Sequence, residues 1–275
     1  MKQIIYLSLI IVTVFGISSC RQEKYNADTV KLVQLDSLLC LQPELVLDSL
    51  KNINPSKFSN YNKAYYQLLE IIAKDKNYFD FSSDSLINST VDVLSHYRNE
   101  HPQNYARSLM YQGIVRYRMN ITDSMAYQPL KDASKIYSTL NPPDLRNKYL
   151  CQYYIAEIFE KNNNTKFAKY YYIQAKQIAL QLCDTNYIYS SYRNLFWCAM
   201  RKTNYVLAKT YIDTLSLYLN TEKDYILSFK NIQSAYLQLI GQHSKTIDLE
   251  KQILKIKDEP TYQNTLISNY FIISE

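Results

Sequence analysis

The nine residues Phe167–Ala175, FAKYYYIQA, place three consecutive tyrosines between two alanines. On a helix of 3.6 residues per turn, Ala168, Tyr172 and Ala175 fall on one face at spacings of four and three. Tyr171 lies beside that face. Tyr170, two residues from Ala168, points about 200° round the helix from it. The run is therefore expected to supply two packing rings and one outward ring, leaving only Tyr170 to meet a ligand. The small–bulky–small spacing recurs at Ala126, Leu130 and Ala133, and again at Ala208, Ile212 and Leu215. Ala156, Phe196 and Gly113 stand twelve or thirteen residues ahead of these sets. Small residues there let two helices approach closely, and the bulky central residue fills a groove of the next pair.

Boundary signals recur at a matching distance. Asn54-Pro55, His101-Pro102, Pro142-Pro143, Asp184-Thr185, Asn220-Thr221 and Glu259-Pro260, counted from residues 55, 102, 142, 184, 220 and 260, lie 47, 40, 42, 36 and 40 residues apart. Helical stripes fill the intervals. Tyr61, Ala64, Tyr65, Leu68, Leu69 and Ile72 form one, and Cys151, Tyr154, Ile155, Ile158 and Phe159 another. Each interval also breaks in its middle, at Lys76-Asn77, Met119-Asn120, Lys161–Asn164, Lys202–Asn204 and Gly241-Gln242. The unit is helix, short turn, helix, repeated about every forty residues.

This pattern resembles tetratricopeptide repeats. It is clearest over Asn147–Leu182 and Asn186–Asn220. Asn104–Leu140 matches with one extra turn residue and carries Pro129, expected to kink its second helix or delay its start. Residues 28–53 and 60–99 read as helix pairs without the alanine spacing. Residues 222–258 keep only Thr246, Glu250 and Ile253 near the signature places. The resemblance implies an all-α, right-handed solenoid of antiparallel helix pairs over residues 28–275. Asn269–Ile273 reads as part of another first helix, so the array is expected to be incomplete at its C-terminal end.

Composition agrees with an all-α reading. Hydrophobic residues make up 47% and charged residues 20% of the 275. There are three glycines, of which Gly113 and Gly241 follow the leader. So few cannot supply the left-handed turns of many hairpins or a phosphate-cradling loop. The 28 tyrosines suit half-buried places between helices. The net charge of +6 comes from scattered Lys and Arg with no basic run of five, a solvated surface and not a nucleic-acid footprint.

The first residues, MKQIIYLSLIIVTVFGISSC, join a charged start at Lys2 to an apolar core from Ile4 to Phe15. That core is shorter than the roughly 20 residues of a spanning helix. The layout is that of a signal peptide over residues 1–19. Ile17-Ser18-Ser19-Cys20 resembles the bacterial lipobox, which implies cleavage before Cys20, acylation of that cysteine and a short tether over residues 20–27. An ordinary secretory signal and an uncleaved anchor are the alternatives. With the repeats, the lipobox makes the chain similar to repeat lipoproteins and sensor proteins of Bacteroidetes-type bacteria. The expected location is the cell envelope, on the periplasmic or outer-membrane face.

Motifs for chemistry are missing from the sequence. His96, His101 and His243 fall near helix ends. There is no H-E-x-x-H, G-x-S-x-G or glycine-rich loop. Asp80 and Asp84 are read as surface or capping acids, with Ser83-Asp84 opening a helix. Cys40, Cys151, Cys183 and Cys198 lack metal spacing and are expected to be buried thiols. No cofactor, metal site or enzymatic activity is predicted.

In tetratricopeptide solenoids the first helices line the concave face, and this resemblance points to a candidate row. Arg193, Trp197 and Arg201 share one face of a first helix, and Tyr153 and Glu157 hold equivalent places on the preceding one. Tyr, Trp and Arg are the types enriched at binding hot spots. The competing and favoured reading is packing, with Trp197 between helices and Arg193 paired with Glu157. The expected function is that of a membrane-anchored, non-catalytic scaffold for a protein or peptide. The alternative is the sensory module of a truncated or split signalling regulator.

Overall fold

The computed structural model describes residues 27–219 and 222–257. The signal peptide, Cys20, the Asn220-Thr221 and Glu259-Pro260 boundaries and the C-terminal Asn269–Ile273 segment lie outside the described residues. Among the described residues there are twelve α-helices, one short 3-10 turn and no strand. They divide into two compact units on either side of Phe79 and Asp80. The division falls within residues 60–99, between the two helices of that segment.

The first unit holds α1 (Ala27–Leu38), α2 (Pro43–Lys51) and α3 (Asn60–Lys76). Pro43 opens α2, where a missing N–H costs nothing. Ser59 caps α3 by accepting the N–H of Asn62 at 3.2 Å. Both α1 and α2 pack on α3; Leu32, Leu35, Val46 and Leu50 are buried, as are Ala64, Tyr65, Leu68, Leu69 and Ile72 of the predicted α3 stripe. Tyr65 donates its hydroxyl to Asp36 at 2.6 Å, tying α3 to α1.

The second unit runs through α4 (Ser85–Ser95), α5 (Pro102–Arg118), α6 (Ser124–Thr139), α7 (Leu145–Lys161), α8 (Thr165–Leu182), α9 (Thr185–Arg201), α10 (Tyr205–Leu217), α11 (Lys223–Leu239) and α12 (His243–Lys257). Each helix packs on its sequence neighbour, and the first helices α5 and α7 also touch. This is an all-α, tetratricopeptide-like helical repeat. Asp144, Asn164, Asp184 and Asn204 cap their helices with side-chain oxygens on backbone N–H groups.

The turn inside each pair is one device used four times. Asn120, Asn163, Thr203 and Gly241 each adopt positive φ, between 52° and 76°. Tyr78 and Cys183 do so as well. Scarcity of glycine does not remove left-handed turns here. Asparagine tolerates that conformation, and in the helical turn the packing of both helices imposes it on the rest.

The small–bulky–small faces form the core. Ala126, Leu130, Ala133, Ala168, Tyr172, Ala175, Ala208 and Leu215 are all fully buried. Gly113 shows how tight the pairing is. A Cβ there would stand 2.5 Å from Leu130 Cγ and 2.7 Å from the carbonyl oxygen of Ala126. Tyr172 reaches the following pair, packing with Leu195 and Cys198 of α9. Tyr171 stacks on Phe159 at 5.6 Å, and Tyr170 leans edge-on against Tyr171 while 54% exposed. Phe167 is also outward, though it stacks on Phe159.

Three expectations need correction. Pro129 does not delay α6, which begins at Ser124. The Met125 carbonyl, which a residue-129 N–H would have served, instead accepts from Arg116 Nη1 at 2.8 Å. Asp84 does not cap α4; Ser83 accepts the Ser85 N–H, while Asp84 pairs with Arg116 at 2.8 Å. Cys151 and Cys198 are buried, but Cys40 and Cys183 are exposed, each lying in the turn just past the end of a helix.

Candidate functional site

Hydrogen bonds between successive first helices join residues one repeat apart. Tyr117 on α5 donates to Glu157 Oε2 on α7 at 3.2 Å. Asn194 on α9 donates to Glu157 Oε1 at 3.3 Å. Arg118 Nη2 donates to Tyr154 at 3.3 Å. Tyr149 and Tyr189 donate to the backbone carbonyls of Tyr187 and Tyr225, at 3.3 and 3.4 Å. Arg201 on α9 pairs with Glu160 on α7. A forty-residue repeat places equivalent helix positions side by side, so these bonds form a ladder across α5, α7, α9 and α11.

Glu157 is the centre of the ladder. The Tyr172 hydroxyl oxygen on α8 lies 2.5 Å from its Oε1 and also contacts Glu160 Oε2. Burial, aided by the nearby Glu160 charge, raises the Glu157 carboxyl above the usual carboxylate range, against the pull of Tyr172, Tyr117 and Arg193. Tyr153 packs edge-on to Tyr172 at 6.2 Å, and burial ahead of the Glu157 charge pushes its hydroxyl up to about 12. Burial likewise raises Tyr117 and Tyr172 well above an ordinary tyrosine.

Cations border the cluster. The Lys161 ammonium lies 4.1 Å from the centre of the Tyr117 ring, and the Arg118 guanidinium 5.9 Å from the rings of both Tyr117 and Tyr154. Arg146 covers Tyr187 at 5.7 Å. Such contacts hold a charge over a ring face, while Lys161 also donates to Asn120 and Arg146 pairs with Asp184.

Of the predicted row, Tyr153 and Glu157 are brought together around Tyr172. Arg201 joins them through Glu160. Trp197 stands edge-on to Phe196 at 5.0 Å against the core of Tyr189, Phe196 and Met200, and is partly exposed. Among the described residues Arg193 makes no ion pair, so the expected Arg193–Glu157 pair is replaced by Arg201–Glu160. Arg193 is half-buried, and its charge favours the ionised forms of Glu157 and Tyr153. Sequence reasoning missed Tyr117, Glu160 and Asn194. The signal was available as spacing, since Tyr117, Glu157 and Trp197 stand forty apart.

The arrangement offers hydrogen bonding, cation–π contact and aromatic surface. Burial pushes the Cys198 thiol up to about 11, which suppresses the thiolate a nucleophile needs. Among the described residues no group of three His, Cys, Asp or Glu is placed to hold a metal ion. No described helix is long and apolar enough to cross a membrane.

Two solved structures share this architecture. BtubC (BKLC) from P. vanneervenii matches with a TM-score of 0.59 at 13% identity, over 87% of this chain and 91% of that one. A Rap protein complexed with Competence and Sporulation Factor matches with a TM-score of 0.58 at 15% identity, over 88% of this chain and 68% of that one. Identities this low establish the helical-repeat fold and nothing finer. No protein-family model matches the chain, and no curated protein matches it.

Proposed function

We propose that this protein is a non-catalytic helical-repeat scaffold that binds a protein or peptide along its first helices. The observation that carries this reading is the ladder itself. It ties Glu157 and Arg201 into adjoining first helices, and the candidate surface adds Tyr153, Arg193 and the partly exposed Trp197 beside them. Surfaces of this type suit extended chains, whose backbone and side chains are read by fixed hydrogen-bonding and ring partners. The likeness to a Rap protein solved with a bound factor supports a binding role for the fold.

The lipobox-like Ile17–Cys20 run supports anchoring of the chain by lipid on Cys20, outside the cytoplasm, as in the Bacteroidetes-type lipoproteins it resembles. In this reading residues 1–19 are removed, 20–27 tether the repeats, the partner lies on the concave face, and no nucleic acid or cofactor takes part.

Substituting Arg193 and Arg201 by alanine tests the surface. The expected outcome is a folded protein that no longer retains the partner captured from native envelopes by the unaltered chain. Retention of the partner at full strength by a folded double variant overturns the site. Trp197→Ala is expected to lower stability, because its ring also covers the core. A Cys20→Ser chain that still takes up labelled fatty acid and partitions with membranes overturns the anchor.

A further inference from the structure

Tyr172 has one hydroxyl proton and two carboxylate neighbours. Its oxygen lies 2.5 Å from Glu157 Oε1 and also contacts Glu160 Oε2. One proton cannot bridge both. If both glutamates were ionised, one contact would set an anionic oxygen against an oxygen with no hydrogen between them, which is repulsive. Both contacts become attractive only if one carboxyl carries a proton of its own.

The surroundings decide which one. Glu160 has the Arg201 guanidinium as an ion-pair partner. Glu157 has no ion pair among the described residues and lies deeper, beneath the rings of Tyr117, Tyr153 and Tyr172. Its Oε2 accepts from Tyr117 and its Oε1 from Asn194 at 3.3 Å, a bond that a carboxyl hydroxyl oxygen can take while its hydrogen turns toward Tyr172. The arrangement is then a directed chain. Glu157 Oε1–H donates to Tyr172 Oη, Tyr172 donates to Glu160, and Glu160 accepts from Arg201.

We propose that Glu157 is the neutral acid in the folded protein, and that its ionisation as pH rises loosens the joint between α5, α7, α8 and α9. Three successive repeats meet at this one carboxyl, so the first-helix face becomes pH-sensitive as a unit. The groups facing Glu157 are Tyr117 and Arg118 from α5, Tyr153, Glu160 and Lys161 from α7, Tyr172 from α8, and Arg193, Asn194 and Arg201 from α9. Arg193 favours the ionised form; burial and Glu160 oppose it, and burial is the largest influence. The proton therefore binds more tightly to the folded chain than to the unfolded one. Its stabilising contribution is complete below the unfolded value of about 4.3 and is lost as pH climbs to the folded value. Across that window the folding constant falls by up to about tenfold per pH unit. This needs no partner, so it stands or falls separately from the binding reading.

The test uses the full chain labelled with 13C at its glutamate carboxyls, titrated by NMR, together with urea unfolding of wild type and Glu157→Gln at each pH. Expected are one carboxyl titrating above the other glutamates, missing from E157Q, and an E157Q-to-wild-type ratio of folding constants that rises with pH. If every glutamate titrates in the ordinary range, or if the ratio is flat or falls with pH, the proposal is overturned. Should E157Q fail to fold, the wild-type titration decides, the raised carboxyl being assigned through its contact with Tyr172.

Discussion

Tyr117 and Glu157 stand forty residues apart in the chain, and the Tyr117 hydroxyl donates to the Glu157 carboxyl at 3.2 Å. One bond thus joins the same level of two successive repeats. Tyr117→Phe keeps the buried ring and removes only the donor. Urea unfolding is expected to show a loss of about 1–2 kcal/mol. An unchanged midpoint would mean that the ladder adds nothing to the stacking of repeats.

Gly113 sits where α5 and α6 come closest. Alanine is the better helix former by about 1 kcal/mol. Yet its Cβ would press on the backbone oxygen of Ala126 as well as on Leu130, and backbone does not give way cheaply. Gly113→Ala is expected to destabilise by about 1–3 kcal/mol. A rise in melting temperature would show that the two helices can separate at no cost.

Arg116 makes good the hydrogen bond that Pro129 removes from α6, while pairing with Asp84, just ahead of α4, and bonding Asn88 within it. Arg116→Met is expected to cost about 1–3 kcal/mol, since it removes the ion-pair partner of the partly exposed Asp84 carboxylate and leaves the Met125 carbonyl to water. In a Pro129→Ala background the restored N–H serves Met125, so the same substitution is expected to cost less. A double-mutant cycle with no coupling would sink this account.

The same pair sets an acid limb. The hydrogen bond from Arg116 holds the Asp84 carboxyl below its usual range. A lowered folded value means stability present above the unfolded value of about 3.9 and lost as pH falls through the folded one. Asp84→Asn is expected to flatten the stability profile on the acid side, measured by thermal melts between about pH 2 and 5. Identical acid slopes in the two proteins would refute the assignment.

Tyr137 is fully buried, and among the described residues its hydroxyl is the one buried side-chain polar atom without a partner. Desolvating that group unrewarded costs about 1–3 kcal/mol. Tyr137→Phe is therefore expected to leave stability unchanged or to raise it by about 1 kcal/mol. A clear loss would reveal a partner for the hydroxyl, such as an ordered water.

The repeat, the helix breaks and the buried faces were legible in the residues. Apolar periodicity, capping Asp and Asn, and small–bulky–small spacing are local properties, set by the 3.6-residue turn and by which side chains satisfy a helix end. They located Ala168, Tyr172 and Ala175 and assigned opposite roles to Tyr170 and Tyr171. Partner choice across repeats lay beyond that reach. Whether Arg193 or Arg201 finds a glutamate depends on the offset between stacked first helices, which shifts a contact by a whole turn for a small change in packing. The same offset brought Tyr117, Tyr172 and Asn194 onto one carboxyl, and folding the chain back on itself let Arg116 serve the carbonyl that Pro129 leaves open. Side chains far apart in sequence met there because burial leaves a polar group no water, and only the stacked helices decide which neighbour replaces it.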